Sequence, residues 1–408
     1  MKAARPYPIV TITPKGERAI VDGHPWVYEG EVVSISGTPE DGSLVDVVSK
    51  KGSWLGCGFY NSASKIRVRL VTRNANDDPA GDAFWERRLR YAWDYRKTVM
   101  GEADSRCCRI IFGEADGFPG LTVDRFERVL VAQVLSLGME RIKERVLPLL
   151  VRILREDGQV IRGVYERNDA ALRTLEGMAQ GKGWLVLPGE AAPEGTAEDI
   201  TENGIRYTVD FENGQKTGFF LDQKYNRLAV AKLAKGRTVL DCFTHTGSFA
   251  LNAARGGAAR VTAVDVSEFA VECARENAAR NGLSQVVDCM AANVFDLLPQ
   301  LQKGQYDFII LDPPAFTKSR QTTQRAMAGY KEINYRAMRL LPRGGYLATC
   351  SCSHFATEEL FRKMLHAAAH DAGVQLRQIE ARQQSADHPI LWGVEETSYL
   401  KFYLFQVV

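Results

Sequence analysis

The sequence of 408 residues predicts a mixed α/β protein with three domains. From residue 237 onward, strand and helix patterns alternate, which predicts a doubly wound, mostly parallel sheet within a domain over 200–408. Residues 1–75 contain short strand patterns separated by glycine turns, which is typical of a small β-barrel. Residues 80–195 mix both patterns and predict a small α+β domain. A hairpin is expected over 200–221, at the start of the third domain.

The composition excludes several classes of protein. The net charge is only +2, so a nucleic-acid partner would have to be bound by a local basic surface. No apolar run approaches the roughly 18 residues of a membrane span, and the first ten residues lack the pattern of a secretion signal. The eight cysteines are scattered, which favours reduced thiols and a location in the cytoplasm rather than a disulfide framework.

One basic strand is expected at the end of the barrel. In the segment 64–72, apolar residues alternate with Lys65, Arg67 and Arg69, which therefore share one face. Three cations on one face can follow a phosphate backbone. A solvated face that discourages edge pairing explains the pattern equally well, so a role in RNA binding depends on the chemistry of the other domains.

The middle of the chain offers fewer signals. Asp116 and Arg125 are candidate site residues, although roles in turns and caps are favoured for both. Two Asn-Gly pairs, at 203–204 and 213–214, flank a strand pattern at 205–211. Asn-Gly pairs are a strong hairpin signal, so a hairpin is expected here.

The segment YDFIILDPPAF, at 306–316, is the centre of the predicted site. Its continuous apolar run suits a strand buried on both faces, and the two prolines end that strand. Asp312 is therefore expected at the carboxyl end of a central strand, where open α/β sheets bind their ligands. Phe316 follows on a stiff turn and is a candidate to stack against a planar ring.

Polar residues also follow the other predicted strands. Asp241 ends the first strand, Asp265 ends the second, and Asn293 follows the third. The loop after Asp241 lacks the G-x-G-x-x-G fingerprint and retains only Gly247, which argues against a nicotinamide or flavin enzyme. A ribose-binding acid and an adenine-binding amide without a pyrophosphate loop point to S-adenosylmethionine, with Asp312 as the third acid of the set.

The strand after Asp312 ends in the sequence CSCSH. If the strand continues, Cys350, Cys352 and His354 lie on one face. A metal site is disfavoured because no fourth ligand is evident, and Cys350, inside the apolar run, is expected to be structural. Cys352 is placed as a nucleophile. Its thiolate would add to carbon 6 of a pyrimidine so that carbon 5 can accept a methyl group, while Asp312 holds N3 of cytosine.

Several motifs together resemble the bacterial S-adenosylmethionine-dependent rRNA methyltransferases of the large-subunit cytosine-C5 type. These are QKTGFFLDQ, D-x-F-x-x-x-G, LDPPAF, GYKEIN, SCSH and ADHP, with GHPWVYEGE and YNSASKIRVRL resembling that family's PUA-type RNA-binding barrel and GEADGFPGLTVDR its α/β insert. The resemblance covers nearly the whole chain. It implies a Rossmann-like class I methyltransferase sheet, S-adenosylmethionine as cofactor, ribosomal RNA as partner and Cys352 as nucleophile. It adds to the cofactor site the residues Phe220, Gln223, Phe243 and Thr244.

Two positions depart from that family's pattern. Ala315 stands where the best-known member has lysine, and Asn293 stands where an acidic residue is expected. The general base also stays open: His354 and His388 are both candidates, and a hydrogen-bonded structural role is favoured for each. No metal is expected. The sequence leaves the oligomeric state open, with a homodimer as one option.

Two other functions remain open. The motif DPPAF also resembles the loop of amino-methyltransferases that act on adenine or guanine, in which Asp312 would hold the exocyclic amine and Phe316 would stack on the base without any cysteine. The other function is an RNA-binding or assembly factor with a vestigial cofactor fold, which would transfer no methyl group.

Overall fold

The protein is described by a computed structural model over residues 5–317 and 319–408, with the side chain of Arg320 excluded. The first four residues of the predicted barrel thus lie outside the described residues. Two compact units are present. The first comprises Met1–Ile200, Thr208–Leu221 and Ala386–Thr397, and the second comprises Thr201–Tyr207, Asp222–Ser385 and Ser398–Val408. No helix among the described residues combines the length and apolar character of a membrane span.

The first unit begins with a six-stranded sheet and one helix, α1 (Pro14–Val21). Its strands are β1 (Ile9–Ile12), β2 (Trp26–Tyr28), β3 (Val32–Ser36), β4 (Leu44–Ser49), β5 (Trp54–Tyr60) and β6 (Ile66–Thr72). The spatial order is β2-β6-β5-β4-β1-β3, and only β1 and β4 pair in parallel. Alternate residues of these strands, including Val10, Val45 and Val68, form a common apolar core. The glycine-punctuated pattern therefore predicted a β-structure correctly.

A second, five-stranded sheet completes most of the first unit. Its strands, in the order β11-β10-β9-β8-β7, are β7 (Cys107–Phe112), β8 (Leu121–Phe126), β9 (Val129–Val134), β10 (Gly163–Asn168) and β11 (Gly181–Leu185). The helices are α2 (Asp82–Val99), α3 (Leu137–Glu156) and α4 (Leu172–Leu175). Asp116 binds Arg96 through both carboxylate oxygens, at 2.6 and 2.8 Å, and buried Arg125 donates to the Glu127 carbonyl. These contacts suit the structural roles favoured for Asp116 and Arg125.

The segment Ala386–Thr397 packs within the first unit, although the sequence pattern assigned it to the third domain. The Tyr95 hydroxyl donates to the Ala386 carbonyl at 3.0 Å, and Arg96 Nη2 donates to the Asp387 carbonyl at 2.8 Å. The Asp387 carboxylate in turn accepts from the Arg109 amide at 2.8 Å. These tertiary hydrogen bonds have no local sequence signal. The division into domains at 75–80 and 195–200 stays a prediction.

A two-stranded hairpin joins β12 (Ala197–Glu202) to β13 (Ile205–Asp210). Asn203 and Gly204 both have positive φ angles, 55° and 74°, which a two-residue type I′ turn requires. The predicted turn is confirmed at this pair, whereas the hairpin spans 197–210 rather than the expected 200–221. The second pair, at 213–214, forms a separate turn in which the Asn213 side chain donates to Asp210 at 2.9 Å.

The second unit is a seven-stranded sheet in the order β16-β15-β14-β17-β18-β20-β19. Its strands are β14 (Thr238–Cys242), β15 (Arg260–Asp265), β16 (Val287–Ala291), β17 (Phe308–Leu311), β18 (Tyr346–Ser351), β19 (Leu376–Arg382) and β20 (Lys401–Val407). Strands β14 to β18 are parallel, and β20 is antiparallel to both neighbours. The helices are α5 (Lys224–Leu233), α6 (Ser248–Arg255), α7 (Glu268–Arg280), α8 (Val294–Leu297), α9 (Thr323–Leu340) and α10 (Glu358–Ala372). The predicted doubly wound sheet is confirmed.

Candidate active site

Asp241, on the central strand β14, is fully buried and close to the strand end. Its Oδ2 accepts hydrogen bonds from Thr244 Oγ1 at 2.5 Å and from the Ala250 amide at 2.9 Å. Burial is the largest of the effects that raise the pKa of this carboxyl to about 7. Its Oδ1 is buried and accepts no hydrogen bond within the described residues. Such an oxygen is an available acceptor for a ligand.

The loop after β14 has an unusual backbone. Phe243, His245 and Gly247 have positive φ angles of 65°, 52° and 84°, which L side chains adopt rarely. A Cβ atom at Gly247 would lie 3.0 Å from Ala274 Cβ, so glycine is the residue that fits this close approach of the loop to α7. The loop is therefore strained and tightly packed, as functional loops often are.

Asp265 ends β15 and binds the neighbouring loops through both oxygens. One accepts from the His245 amide at 2.9 Å and the other from the Ser267 amide at 3.0 Å. Asn293 follows β16 and caps α8, since its Oδ1 accepts from the Phe295 amide at 3.0 Å. The exposed side chain of Asn293 keeps its amide nitrogen for a ligand. Asp241 and Asp265 thus lie at the ends of adjacent parallel strands and Asn293 follows the next strand, as predicted.

Asp312 follows β17 directly, next to the end of β14. Its amide donates to the Cys242 carbonyl at 3.4 Å, and its Oδ1 accepts from Gln223 Nε2 at 3.1 Å. Burial raises the pKa of the Asp312 carboxyl to about 6, helped by the charge of Asp222 and opposed by the Gln223 and Cys350 hydrogen bonds. The carboxyl is therefore much easier to protonate near neutral pH than an ordinary aspartate.

The neighbouring strand β18 carries Cys350 and stops just before Cys352. Cys350 is fully buried within β18, which confirms its structural placement, and burial raises the pKa of its thiol well above the usual value. The strand ends at Ser351. The condition under which Cys350, Cys352 and His354 would share one strand face is therefore not met, and His354 lies in a turn. Cys352 lies in the half-buried turn just beyond the strand tip.

Sequence reasoning missed Lys401, the first residue of β20. It is the antiparallel partner of Ser351, and its Nζ donates to the Ser353 carbonyl at 2.7 Å. The side chain is only 8% exposed. A lysine before an apolar strand pattern carries no local sign of burial, so only the sheet register could have revealed it.

Phe316 packs in an aromatic cluster. Its ring centroid lies 4.6 Å from that of Tyr330, 5.9 Å from that of Phe295 and 6.5 Å from that of Phe243. The Phe316 side chain is half-buried by these contacts. The buried part of the Phe316 ring therefore packs against these three aromatic rings. Stacking of its solvent-accessible part on a nucleobase stays a prediction.

The two candidate bases, His354 and His388, and the candidate cofactor residue Phe220 have surroundings that differ from one another. His354 is exposed and forms an edge contact with Phe355. His388 belongs to the first unit, where it is 2% exposed and its Nδ1 lies 3.0 Å from Asp387 Oδ1. This matches the structural role favoured from sequence. Phe220 also belongs to the first unit and lies under the Lys216 ammonium at 4.8 Å.

The three cations of the predicted basic strand differ in environment. Lys65 is exposed and precedes β6. Arg67 pairs with Glu29 at 2.8 Å, whereas Arg69 pairs with Glu114 at 3.2 Å and Glu176 at 3.0 Å. Both arginine charges are therefore largely neutralised inside the protein. In the described part of the chain, no group of three or more acidic, cysteine or histidine side chains is placed to hold a metal ion.

The fold and the strand-end residues define a class of protein. Residues 183–405 match the family described as S-adenosylmethionine-dependent methyltransferase, and residues 10–73 match the PUA-like domain. The fold is similar to that of an S-adenosylmethionine-dependent methyltransferase from Streptococcus mutans, with a TM-score of 0.80 at 21% identity, covering 98% of this chain and 99% of the other. A methyltransferase complexed with SAH superposes with a TM-score of 0.81 at 21% identity and the same coverage.

Curated relatives match nearly the whole chain. The ribosomal RNA large subunit methyltransferase I of Klebsiella pneumoniae strain 342 is 36% identical over 405 residues, which are 98% of this chain and 99% of that protein. The protein of the same name from Aeromonas salmonicida is 38% identical over 388 residues, 94% of this chain and 96% of the other. The chain belongs to the family of the ribosomal RNA large subunit methyltransferase I proteins, and it is an S-adenosylmethionine-dependent methyltransferase.

Proposed function

We propose that this enzyme transfers a methyl group to carbon 5 of a cytosine in large-subunit ribosomal RNA. The observation that carries the proposal is the placement of Cys352 and Asp312 just beyond the ends of the adjacent parallel strands β18 and β17. The RNA in this proposal is taken from the relatives, which are named ribosomal RNA large subunit methyltransferases.

Cytosine carbon 5 is a weak nucleophile and requires activation. In the proposed reaction, the Cys352 thiolate forms a bond to carbon 6, and the electron pair of the 5,6 double bond becomes available at carbon 5. Carbon 5 would then form its bond to the methyl carbon as the bond from that carbon to the sulfonium sulfur breaks, and the sulfur keeps the electron pair and leaves as a neutral thioether. A base removes the proton from carbon 5, the double bond returns, and the Cys352 sulfur leaves carbon 6. His354 and His388 stay candidates for this base.

Asp312 would assist at N3 of the cytosine. Addition of the thiolate places negative charge on the ring, and a protonated carboxyl that donates to N3 neutralises this charge as it develops. Burial raises the pKa of Asp312 to about 6, so a useful fraction of the carboxyl is protonated near pH 7. Gln223, which donates to Asp312 Oδ1, would fix the orientation of the carboxyl.

The residues at the ends of β14, β15 and β16 fit S-adenosylmethionine. The unpaired Oδ1 of Asp241 would accept from the methionine ammonium, Asp265 would accept from ribose, and Asn293 would meet the adenine edge. Phe243, Thr244 and the close backbone at Gly247 would shape the same site, and Phe220 is a further candidate. When bound, the cofactor supplies an electrophilic methyl group attached to a sulfonium.

The amino-terminal sheet is the proposed RNA-binding surface, through Lys65 and the face that carries Arg67 and Arg69. Phe316 would contact the target base. An enzyme that acts on ribosomal RNA works in the cytoplasm, where thiols such as Cys352 stay reduced. A homodimer stays a prediction, which the molar mass in solution would test.

A second candidate keeps the fold and cofactor but methylates an exocyclic amine of adenine or guanine. The observation in its favour is the sequence DPPAF, because Asp312 and Phe316 could hold such an amine and its ring. This reaction needs no thiolate. Cys352 therefore separates the two chemistries, and an RNA-binding factor without transferase activity would differ from both by transferring no methyl group.

The deciding experiment compares Cys352→Ala with Cys273→Ala, a half-buried cysteine on α7. Both are assayed with labelled S-adenosylmethionine and undermethylated ribosomal RNA or ribosomal subunits, and the modified nucleoside is identified by mass. We expect the first variant to lose transfer at least about 100-fold and the second to keep it. Near wild-type transfer by Cys352→Ala would exclude the covalent mechanism, and no transfer by the wild type would favour the binding factor.

A further inference from the structure

Lys401 is held beside Cys352 by the sheet. It is the Cα partner of Ser351 in the antiparallel pairing of β18 with β20, and its Nζ donates to the Ser353 carbonyl at 2.7 Å and the Tyr399 carbonyl at 2.9 Å. The two residues that flank Cys352 in the chain are thus both tied to Lys401. The ammonium group is therefore fixed next to the turn that carries the proposed nucleophile.

The ammonium group is buried without an acidic partner. In the described part of the chain, no carboxylate lies within ion-pair distance of Lys401 Nζ, and an ammonium has three N–H donors, of which the two backbone carbonyls occupy two. Burial lowers the pKa of Lys401 to about 8, which the charges of Cys352 and Glu358 partly oppose. At pH 7 the side chain is still mostly a cation.

The other polar groups near Lys401 leave this charge available. Glu358, at the start of α10, accepts from the Tyr403 hydroxyl at 3.0 Å. Tyr330 shares a hydrogen bond of 2.9 Å with Ser353 Oγ, and burial raises the pKa of its hydroxyl, so it is neutral near pH 7. An ionised Cys352 thiol and the Lys401 ammonium attract each other, so the buried cation favours the thiolate.

We propose that Lys401 is a positioning residue that stabilises the thiolate form of Cys352 through its charge and fixes the turn through the Ser353 carbonyl. Lys401 neither takes nor gives a proton in this role; the thiol proton passes to solvent. An opposite charge within about 4–6 Å favours ionisation of a thiol. The histidines of the chain are then not needed to generate the nucleophile. The inference rests on the proposed role of Cys352 in catalysis.

The test measures the thiol itself. The full-length protein is treated briefly with iodoacetamide between about pH 5.5 and 10, and alkylation of the Cys352 peptide is quantified by mass spectrometry, with the Cys273 peptide of the same digest as the internal reference. The variants are Lys401→Met, which removes the charge and the donor; Lys401→Gln, which removes the charge and keeps a donor; and Lys401→Arg, which keeps both. Melting temperatures verify folding.

We expect Lys401→Met and Lys401→Gln to move the alkylation midpoint of Cys352 upward by about 1 pH unit, a tenfold slower reaction at pH 7, with Cys273 unchanged. Lys401→Arg should stay within about threefold of wild type. If the neutral variants lower the melting temperature but leave the Cys352 midpoint unchanged, Lys401 only supports the chain and the proposal is wrong. An equal shift in the arginine variant would also contradict it.

This readout needs neither RNA nor S-adenosylmethionine, so it is separate from the proposed function. If Cys352→Ala still methylates RNA, the proposed covalent mechanism fails even where the alkylation shift is present. Conversely, a confirmed covalent mechanism with no alkylation shift assigns the activation of the thiol to other groups.

Discussion

Asp312→Asn removes the carboxyl group at the end of β17 while keeping the size of the side chain. The pKa of Asp312 is raised to about 6 by burial, so about one carboxyl in ten is protonated at pH 7. An ordinary aspartate with a pKa of about 3.9 would be protonated about once in a thousand. The site therefore increases the acid form about 100-fold, and asparagine abolishes it.

We expect Asp312→Asn to reduce methyl transfer by a factor of about 10² to 10⁴, the usual range for a general acid or base. The matched control is Asp307→Asn, which precedes the same strand at its other end and accepts from the Thr238 amide at 3.0 Å. The assay is kcat/KM for RNA between about pH 5.5 and 9. In the wild type, one titration near pH 6 should reflect Asp312, and this titration should be absent from the variant.

The stability of the same variant separates chemistry from folding. The folded-state pKa of Asp312 lies above its unfolded value. The free energy of unfolding therefore falls as pH rises from about 4 to about 6, because the buried carboxyl ionises, and the whole of this loss is present above pH 6. The expected penalty is about 1–2 kcal/mol after allowance for partial exposure. Asp312→Asn should therefore melt at the same temperature as wild type or higher at pH 8. A fully active Asp312→Asn with an unchanged pH profile would refute the assigned role.

Three further predictions concern other parts of the chain. Gly247→Ala, at a φ of 84°, should lower stability by about 1–3 kcal/mol and weaken S-adenosylmethionine binding, measured by calorimetry. Arg227→Ala leaves the buried Glu202 without its 2.5 Å ion pair and should cost about 3–5 kcal/mol in denaturant unfolding, which replacing both residues by methionine should partly restore. Replacing Lys65, Arg67 and Arg69 together by alanine should weaken RNA binding and flatten its salt dependence. Because Lys65 is the exposed cation of the three, Lys65→Ala alone should account for most of the change in the slope of affinity against salt concentration. An unchanged slope would mean that this strand face is only solvated.

The elements that the sequence predicted best carry strong local signals. Strand β17, Phe308–Leu311, was predicted at its observed bounds because an uninterrupted apolar run meets two prolines. The turn at Asn203 and Gly204 was likewise correct because that pair favours positive φ angles. The acids at the strand ends followed from the same logic, since the carboxyl ends of parallel strands share one edge of the sheet.

The missed features depend on tertiary context. Strand β19, Leu376–Arg382, was not predicted because this edge strand is mostly exposed and polar. Strand β18 ends at Ser351, so the continuation that would have aligned His354 with Cys350 is absent. The burial of Lys401 follows from strand pairing alone.

The central claim is that Cys352 forms a covalent bond to a cytosine. The most direct measurement incubates the wild-type protein with S-adenosylmethionine and ribosomal RNA that contains 5-fluorocytidine, whose fluorine replaces the proton that must leave carbon 5. We predict a denaturation-resistant protein–RNA complex, with the nucleotide mapped by mass spectrometry to the peptide that contains Cys352, and no such complex with Cys352→Ala. Transfer of methyl groups to unmodified RNA, without any trapped complex at Cys352, would contradict the account.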